Sequence, residues 1–259
     1  MLQTTKQLHH AERLAVLGEL TAGIAHEVRN PISGIRGAAE IVGRADVAPE
    51  VRAEFAAILL KETTRLNQVV ENILSFARLH QEQLEDADLA EVVRRAVALV
   101  GKEAERRGVV IVQDVPPDIR LHTDPPLLQQ VLLNLLLNAI QAMPGGGTVT
   151  VAAKTVDGRL ALSVGDTGPG IAPELHESVF TPFFTTKADG TGLGLAIARR
   201  IARGMRGDIR LRSTPGAGAE FTLDVPLRLG AAAGADLFSE GDETAEDGVD
   251  GVDKVDVQR

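Results

Sequence analysis

From Glu12 to about Gly43 the apolar residues Leu14, Leu17, Leu20, Ile24, Val28, Ile35 and Val42 return at helical spacings. The stretch GRADVAPE breaks the rhythm, and Pro49 stands where a new helix can begin. A second helical seam of Phe55, Leu59, Leu66, Val69, Ile73 and Phe76 runs to about Leu79, with Glu62 as its one polar break. Two such helices joined by a short loop make an antiparallel hairpin. Alone, a hairpin leaves its apolar stripe half-covered. Pairing of two copies into a dimeric four-helix bundle is the expected remedy, and packing on the chain's own C-terminal part is the alternative.

After HQEQLEDAD the pattern changes. LAEVVRRAVALVGKEAERRG reads as a helix, VVIVQDV as a strand and DPPLLQQVLLNLLLNAIQAM as a helix again. GGGTVTVAAKTVDGRLALSVGD alternates as two strands about a turn at Asp157-Gly158. GLGLAIARRIARGM is a helix opened by glycines, and GDIRLRSTPGAGAEFTLDVPL closes with a hairpin of strands. The mixture predicts an α+β chain: the helical hairpin, then an α/β sandwich with a mixed sheet and helices on one face. Three parts follow, residues 1–82, 83–230 and 231–259. The last holds nine acidic against two basic residues, hence −7 of the chain's −9, and lacks apolar periodicity. A disordered acidic tail is expected there.

Composition narrows the function. With seven Phe and no Tyr or Trp among 259 residues, stacking platforms for single-stranded nucleic acid are few. The negative net charge argues further against nucleic acid. The absence of Cys excludes disulfides, thiolate metal sites and a Cys nucleophile. No apolar run reaches the roughly 18 residues of a membrane span, and no signal-peptide core opens the chain. A cytoplasmic location is expected, with membrane attachment only through a sensor segment absent from this chain.

Chemistry concentrates in four stretches. In GIAHEVRNPI, His26 sits about 200° around the helix from Ile24, away from the apolar seam. Ala22 and Gly23 leave space beside its ring, and Glu27 can accept a proton from one ring nitrogen. Pro31 predicts a bend beside the histidine. A solvated surface histidine fits the same facts. In the helix from Leu127 to Met143, Gln130, Asn134, Asn138 and Gln141 form one amide stripe. Amide oxygens suit Mg²⁺; a hydrogen-bond network or a solvated face is the plainer reading. In GDTGPGI, Asp166 stands between glycines, where a carboxylate can accept from adenine's exocyclic amine and repel guanine's oxygen. In GTGLGLAIA, Gly190, Gly192 and Gly194 open a helix, a place suited to phosphates, although neither the P-loop nor the dinucleotide fingerprint is matched.

Taken in order, LGELTAGIAHEVRNPI, NLLLNAIQA, DTGPGI, FTPFFTTK and GTGLGLAIA resemble the H, N, G1, F and G2 boxes of bacterial sensor histidine kinases. The resemblance covers about residues 12 to 228, and the FFTTK…GTGLGL wording is closest to the nitrogen-regulation kinases. It implies a dimerisation and histidine phosphotransfer domain in residues 1–82 and a catalytic ATP-binding domain of the Bergerat (GHKL) type in residues 83–230. It also implies autophosphorylation from ATP with Mg²⁺, a homodimer, and phosphotransfer to the receiver domain of a cognate response regulator.

Position by position, the resemblance makes His26 the phosphoacceptor and Glu27 its orienting base, with Asn30 supporting dephosphorylation of the regulator. Asn138 would be the Mg²⁺ ligand, with Asn134 beside it near the nucleotide. Asp166 would hold adenine, helped by Thr167, Gly168 and Gly170. Phe183 and Phe184 would anchor a lid, and Gly190, Gly192 and Gly194 would meet the phosphates. Many members carry Lys three residues after the metal-binding Asn, where this chain has Gln141. Lys187 and Arg199 are the candidates to supply the missing positive charge. Two rivals remain at this point: an ATPase or serine kinase of the same nucleotide fold, and a docking scaffold with an inactive nucleotide site.

Overall fold

The computed structural model describes residue 25 and residues 28–77, 83–187 and 190–229. The chain divides at Leu229/Gly230 into two units. The second unit, which contains the tail expected to be disordered, lies outside the described residues. So do His26 and Glu27, and with them the bend expected at that point.

Helix α1 (28–42) and helix α2 (Pro49–Ala77) form the hairpin. Gly34 explains why the α2 seam tolerates Glu62. A Cβ on Gly34 would lie 3.1 Å from Glu62 Cγ, so the carboxylate's methylenes pack where α1 offers no side chain. Phe55, Leu59 and Leu66 stay half-buried along the seam.

Beyond residue 82 come β1 (Glu85–Asp88), α3 (Leu89–Arg106), β2 (Val109–Asp114), β3 (Arg120–Thr123) and α4 (Pro125–Ala142). They are followed by β4 (Gly147–Val156), β5 (Arg159–Asp166), α5 (Gly194–Gly204), β6 (Asp208–Ser213) and β7 (Ala219–Pro226). The five-stranded sheet runs β2-β4-β5-β7-β6. Strand β2 is parallel to β4, and every other pair is antiparallel, so the sheet is mixed as expected. Alternate residues of its central strands, among them Val149, Val151, Leu160, Leu162, Val164, Phe221 and Leu223, form one core with the inner faces of α3, α4 and α5. Removing these side chains from water supplies the main folding drive, about 1.5–3 kcal/mol for each large aliphatic group.

Two strands go beyond the sequence reading. Strands β1 and β3 pair antiparallel in a separate two-stranded sheet, with Ala87 opposite Leu121. Each has four residues, and the EDAD of β1 has no apolar alternation to announce it. Partner and burial, not propensity, make these segments strands. Helices α3 and α4 start on aspartates, as capping chemistry dictates. The Asp88 side chain accepts from Glu91 N at 3.3 Å, and Asp124 Oδ1 accepts from Leu127 N at 3.1 Å.

Candidate nucleotide site

Helix α4 turns one face to the core through Leu128, Val131, Leu132, Leu135, Leu136, Ala139 and Ile140. The amide stripe is what remains, with Gln130, Asn134 and Asn138 half-buried and Gln141 exposed. Two of these amides differ in their surroundings. The Nδ2 of Asn134 is buried and has no hydrogen-bond partner among the described residues. It lies by the start of α5, where a Cβ on Gly194 would come within 3.5 Å of Asn134 Oδ1. No side chain caps that helix. An unpaired buried donor beside an uncapped helix N-terminus suits an anion such as phosphate.

Asn138 faces the opposite charge. Lys187 Nζ donates to Asn138 Oδ1 at 2.8 Å, to the Asn138 carbonyl at 3.1 Å and toward Gln141 Oε1 at 3.5 Å. Burial pulls the Lys187 pKa down to about 8, against the attraction of Asp166. These amide oxygens therefore gather around a cation, which is the donor chemistry a Mg²⁺ ion would need. Among the described residues no group of three or more His, Cys, Asp or Glu could hold a metal without a ligand's help. The site fits an ion that arrives with phosphates and not one caged by protein alone.

Strand β5 ends on Asp166, whose Oδ1 accepts from Gly168 N at 2.9 Å and Ala219 N at 3.3 Å. Burial raises the Asp166 pKa above its ordinary 3.8, while the two backbone N–H groups and Lys187 oppose the rise. Thr167 Oγ1 accepts from Thr148 N at 3.0 Å and lies 3.6 Å from Met143 Sδ. Gly170 adopts φ +73, and a Cβ there would overlap the Thr214 carbonyl. Only glycine allows that crossing.

The expected lid anchors divide. Phe183 N donates to Gly192 O at 3.0 Å, and its ring packs with Leu193, Ile197 and Ile201 in a small cluster of its own. Phe183 holds φ +66, a costly conformation for a bulky residue. Phe184 is half-buried, with its N–H on Thr181 O. Gly190 N reaches back to Lys187 O. Gly192 and Leu193 precede α5, which begins at Gly194.

Arg199 needs correcting. Its Nε and Nη2 bond both oxygens of Asp208 at 2.8 and 3.1 Å, and its guanidinium lies 4.5 Å from the centre of the Phe180 ring. Glu177 approaches it at 3.5 Å. With so many commitments, Arg199 braces α5 against β6 and cannot serve phosphates. Of the two candidate cations, only Lys187 stands at the site. Met143 was not anticipated: it is buried under Thr167, and a Cβ on Gly147 would strike its sulfur. The Met-Pro-Gly run ending α4 was the available signal. Asn30 is exposed on α1.

The family "Histidine kinase-, DNA gyrase B-, and HSP90-like ATPase" matches residues 123–229, and the "His Kinase A (phospho-acceptor) domain" matches residues 16–82. The chain belongs to the sensor histidine kinases. It is 40% identical over 227 residues to the signal transduction histidine-protein kinase AtoS of Escherichia coli, covering 87% of this chain and 37% of AtoS. The sensory histidine kinase/phosphatase NtrB of Salmonella typhimurium is 36% identical over 235 residues, 86% of this chain and 66% of NtrB. The chain thus spans between a third and two thirds of these relatives' length. Among solved structures, histidine kinase ThkA in complex with response regulator protein TrrA superposes with a TM-score of 0.76 at 30% identity. That match covers 88% of this chain and 66% of that one. The ThkA catalytic domain solved alone gives 0.52 at 30% identity, covering 56% of this chain and 97% of the domain. The helical hairpin followed by a mixed-sheet GHKL domain is therefore the family's architecture. Among the described residues, no helix is long and apolar enough to cross a membrane.

Proposed function

We propose that this chain is the kinase core of a cytoplasmic two-component sensor, which phosphorylates its own His26 from ATP and passes the group to an aspartate of a response regulator. One arrangement supports the reading: the unpaired Asn134 amide lies by the uncapped start of α5, and one turn along α4 the Asn138 oxygen holds the Lys187 ammonium, which is also attracted by Asp166. That set recognises a polyphosphate with its counter-ion and an adenine.

In this reading Asp166 accepts from the exocyclic amine of adenine, with Thr167, Gly168 and Gly170 shaping the wall. Asn134 and the N–H groups following Gly190, Gly192 and Gly194 meet the phosphates. Phe183 and Phe184 root the lid, and Lys187 supplies the ammonium that Gln141 cannot. Asn138 would hold Mg²⁺, whose charge when bound offsets that of the phosphates. A ring nitrogen of His26 attacks the terminal phosphorus as the bond to ADP breaks, and Glu27 orients the imidazole by accepting its other N–H. Asn30, exposed one turn further along, positions a water for dephosphorylation of the regulator; the similarity to a kinase/phosphatase supports that role. The complex of ThkA with TrrA supports a receiver domain as the partner. Residues 1–82 serve dimerisation and phosphotransfer, residues 83–230 catalysis, and 231–259 form a tail without a catalytic part. Two copies pair through the half-covered seam of the hairpin.

Incubation with γ-labelled ATP tests this. Label that survives alkali, is lost in acid and is absent from His26→Gln is expected, with ATP-analogue affinity unchanged in the variant. Acid-stable label, or label persisting on the variant, would sink the reading.

A further inference from the structure

Met143 stands where the end of α4 meets the loop that carries Asp166. It is the first residue beyond the helix, its N–H donates to the Ile140 carbonyl, and it is buried. Gly147, Thr167 and Gly168 close around it. A Cβ on Gly147 would lie 2.5 Å from the Met143 sulfur and 2.9 Å from Thr167 Oγ1. A Cβ on Gly168 would lie 3.2 Å from Met143 Cγ and 2.9 Å from Asp166 Oδ1. Glycine thus occupies both positions where the thioether leaves no room for a side chain. The Thr167 hydroxyl accepts from Thr148 N at 3.0 Å, and its own proton points to the sulfur 3.6 Å away.

Gly168 is held between Met143 on one side and Asp166 on the other, and Gly168 N donates to Asp166 Oδ1 at 2.9 Å. We infer that Met143 is a positioning residue for the base-binding carboxylate, fixing through Gly168 where Asp166 stands relative to the amides of α4. This role rests on the proposed nucleotide site and concerns its base end, where a purine bearing an exocyclic amine is told from one bearing an oxygen. A thioether suits the task, because it fills an irregular gap and makes no hydrogen-bond demand of its own. Truncating it would leave a space into which the turn from Asp166 to Gly168 can sink, since a close-packed interior holds its neighbours by contact. Selectivity feels such a shift most: the carboxylate rewards the amine, and repels an oxygen, only while it is held close to the base. Asn134 and Asn138 lie within α4, ahead of Met143, and keep their places.

Competition titrations of the full chain with non-hydrolysable ATP and GTP analogues test this, with urea unfolding as the check on folding. Met143→Ala should lower affinity for the ATP analogue about tenfold and leave that for the GTP analogue within about twofold, because only the favourable base contact is lost. Met143→Val, a milder truncation, should shift the preference in the same direction and serves if the alanine variant does not fold. Leu121→Ala, a buried truncation on β3 outside these contacts, should lower the urea midpoint and leave the preference intact. Gly168→Ala should also lose preference, because its methyl would press on Met143 Cγ and Asp166 Oδ1 together. Combined with Met143→Ala it should regain part of that loss, the methyl then having room to move toward α4. Equal loss of both analogues in the Met143 variants, an unchanged preference, or plain addition of the two single effects in the double variant would overturn the inference. A wild type that binds neither analogue, or both alike, would remove the base reading at Asp166 itself, and the wild-type titration separates that case from a failure at Met143 alone.

Discussion

At Asp166 both backbone bonds, from Gly168 and Ala219, go to Oδ1, and in the proposed nucleotide site Oδ2 would accept from the amine of a base. The carboxylate must be ionised to accept, yet burial favours its neutral form and raises its pKa above 3.8. The sign follows directly. As pH falls through this raised value the acceptor is lost, so nucleotide affinity should decline on the acid side earlier than an ordinary carboxylate would allow. Asp166→Asn should flatten that limb. It should also weaken ATP binding tenfold or more, about 1.4 kcal/mol, and blur the preference over GTP, because an amide donates to guanine's oxygen as readily as it accepts. Competition titrations with both nucleotides from pH 5 to 8 would check it. Undiminished discrimination would place the base elsewhere.

Helix α5 is held by charge as well as by packing. Its inner side, with Ala198 and Ala202, sinks into the main core. Arg199 ties it outward to Asp208 at the start of β6, and Phe180, stacked under the guanidinium, meets Phe221 of β7 edge-on at 6.1 Å. The Arg199 bond holds the Asp208 carboxyl below its ordinary 3.8. A depressed pKa means stability fully present above 3.8 and lost as pH drops through the lower folded-state value. Since Asp208 is partly exposed, the pair is worth about 0.5–1 kcal/mol. Asp208→Asn should therefore lower the denaturation midpoint near pH 7 but match wild type well below pH 3.8. Urea unfolding at several pH values would measure this, and a constant gap across that range would assign the loss to packing.

For the molecule as a whole, the hairpin sets the question of copy number. Leu59 and Leu66 lie along its seam yet remain half-buried, which is the burden a second hairpin would relieve. Leu59→Glu should convert a dimer to a monomer in sedimentation or light scattering while leaving ATP-analogue binding intact, since none of the residues proposed to bind nucleotide lies on α2. A wild type that is monomeric at micromolar concentration would end the bundle proposal.

Periodicity and short-range chemistry determined much of this protein without help. The amides of α4 recur at three and four residues, so any α-helix there must align them. Asp166 and its glycines follow a strand within one short loop, and the caps at Asp88 and Asp124 act on amides three residues away. What the sequence left undecided was which cation goes where. Lys187 and Arg199 were both candidates on paper, because charge carries no address along a chain. Tertiary packing sent one to Asn138, forty-nine residues away, and the other to Asp208. The β1–β3 pair was settled in the same way: neither four-residue segment has a strand's pattern, and each is made a strand by the partner the fold brings beside it.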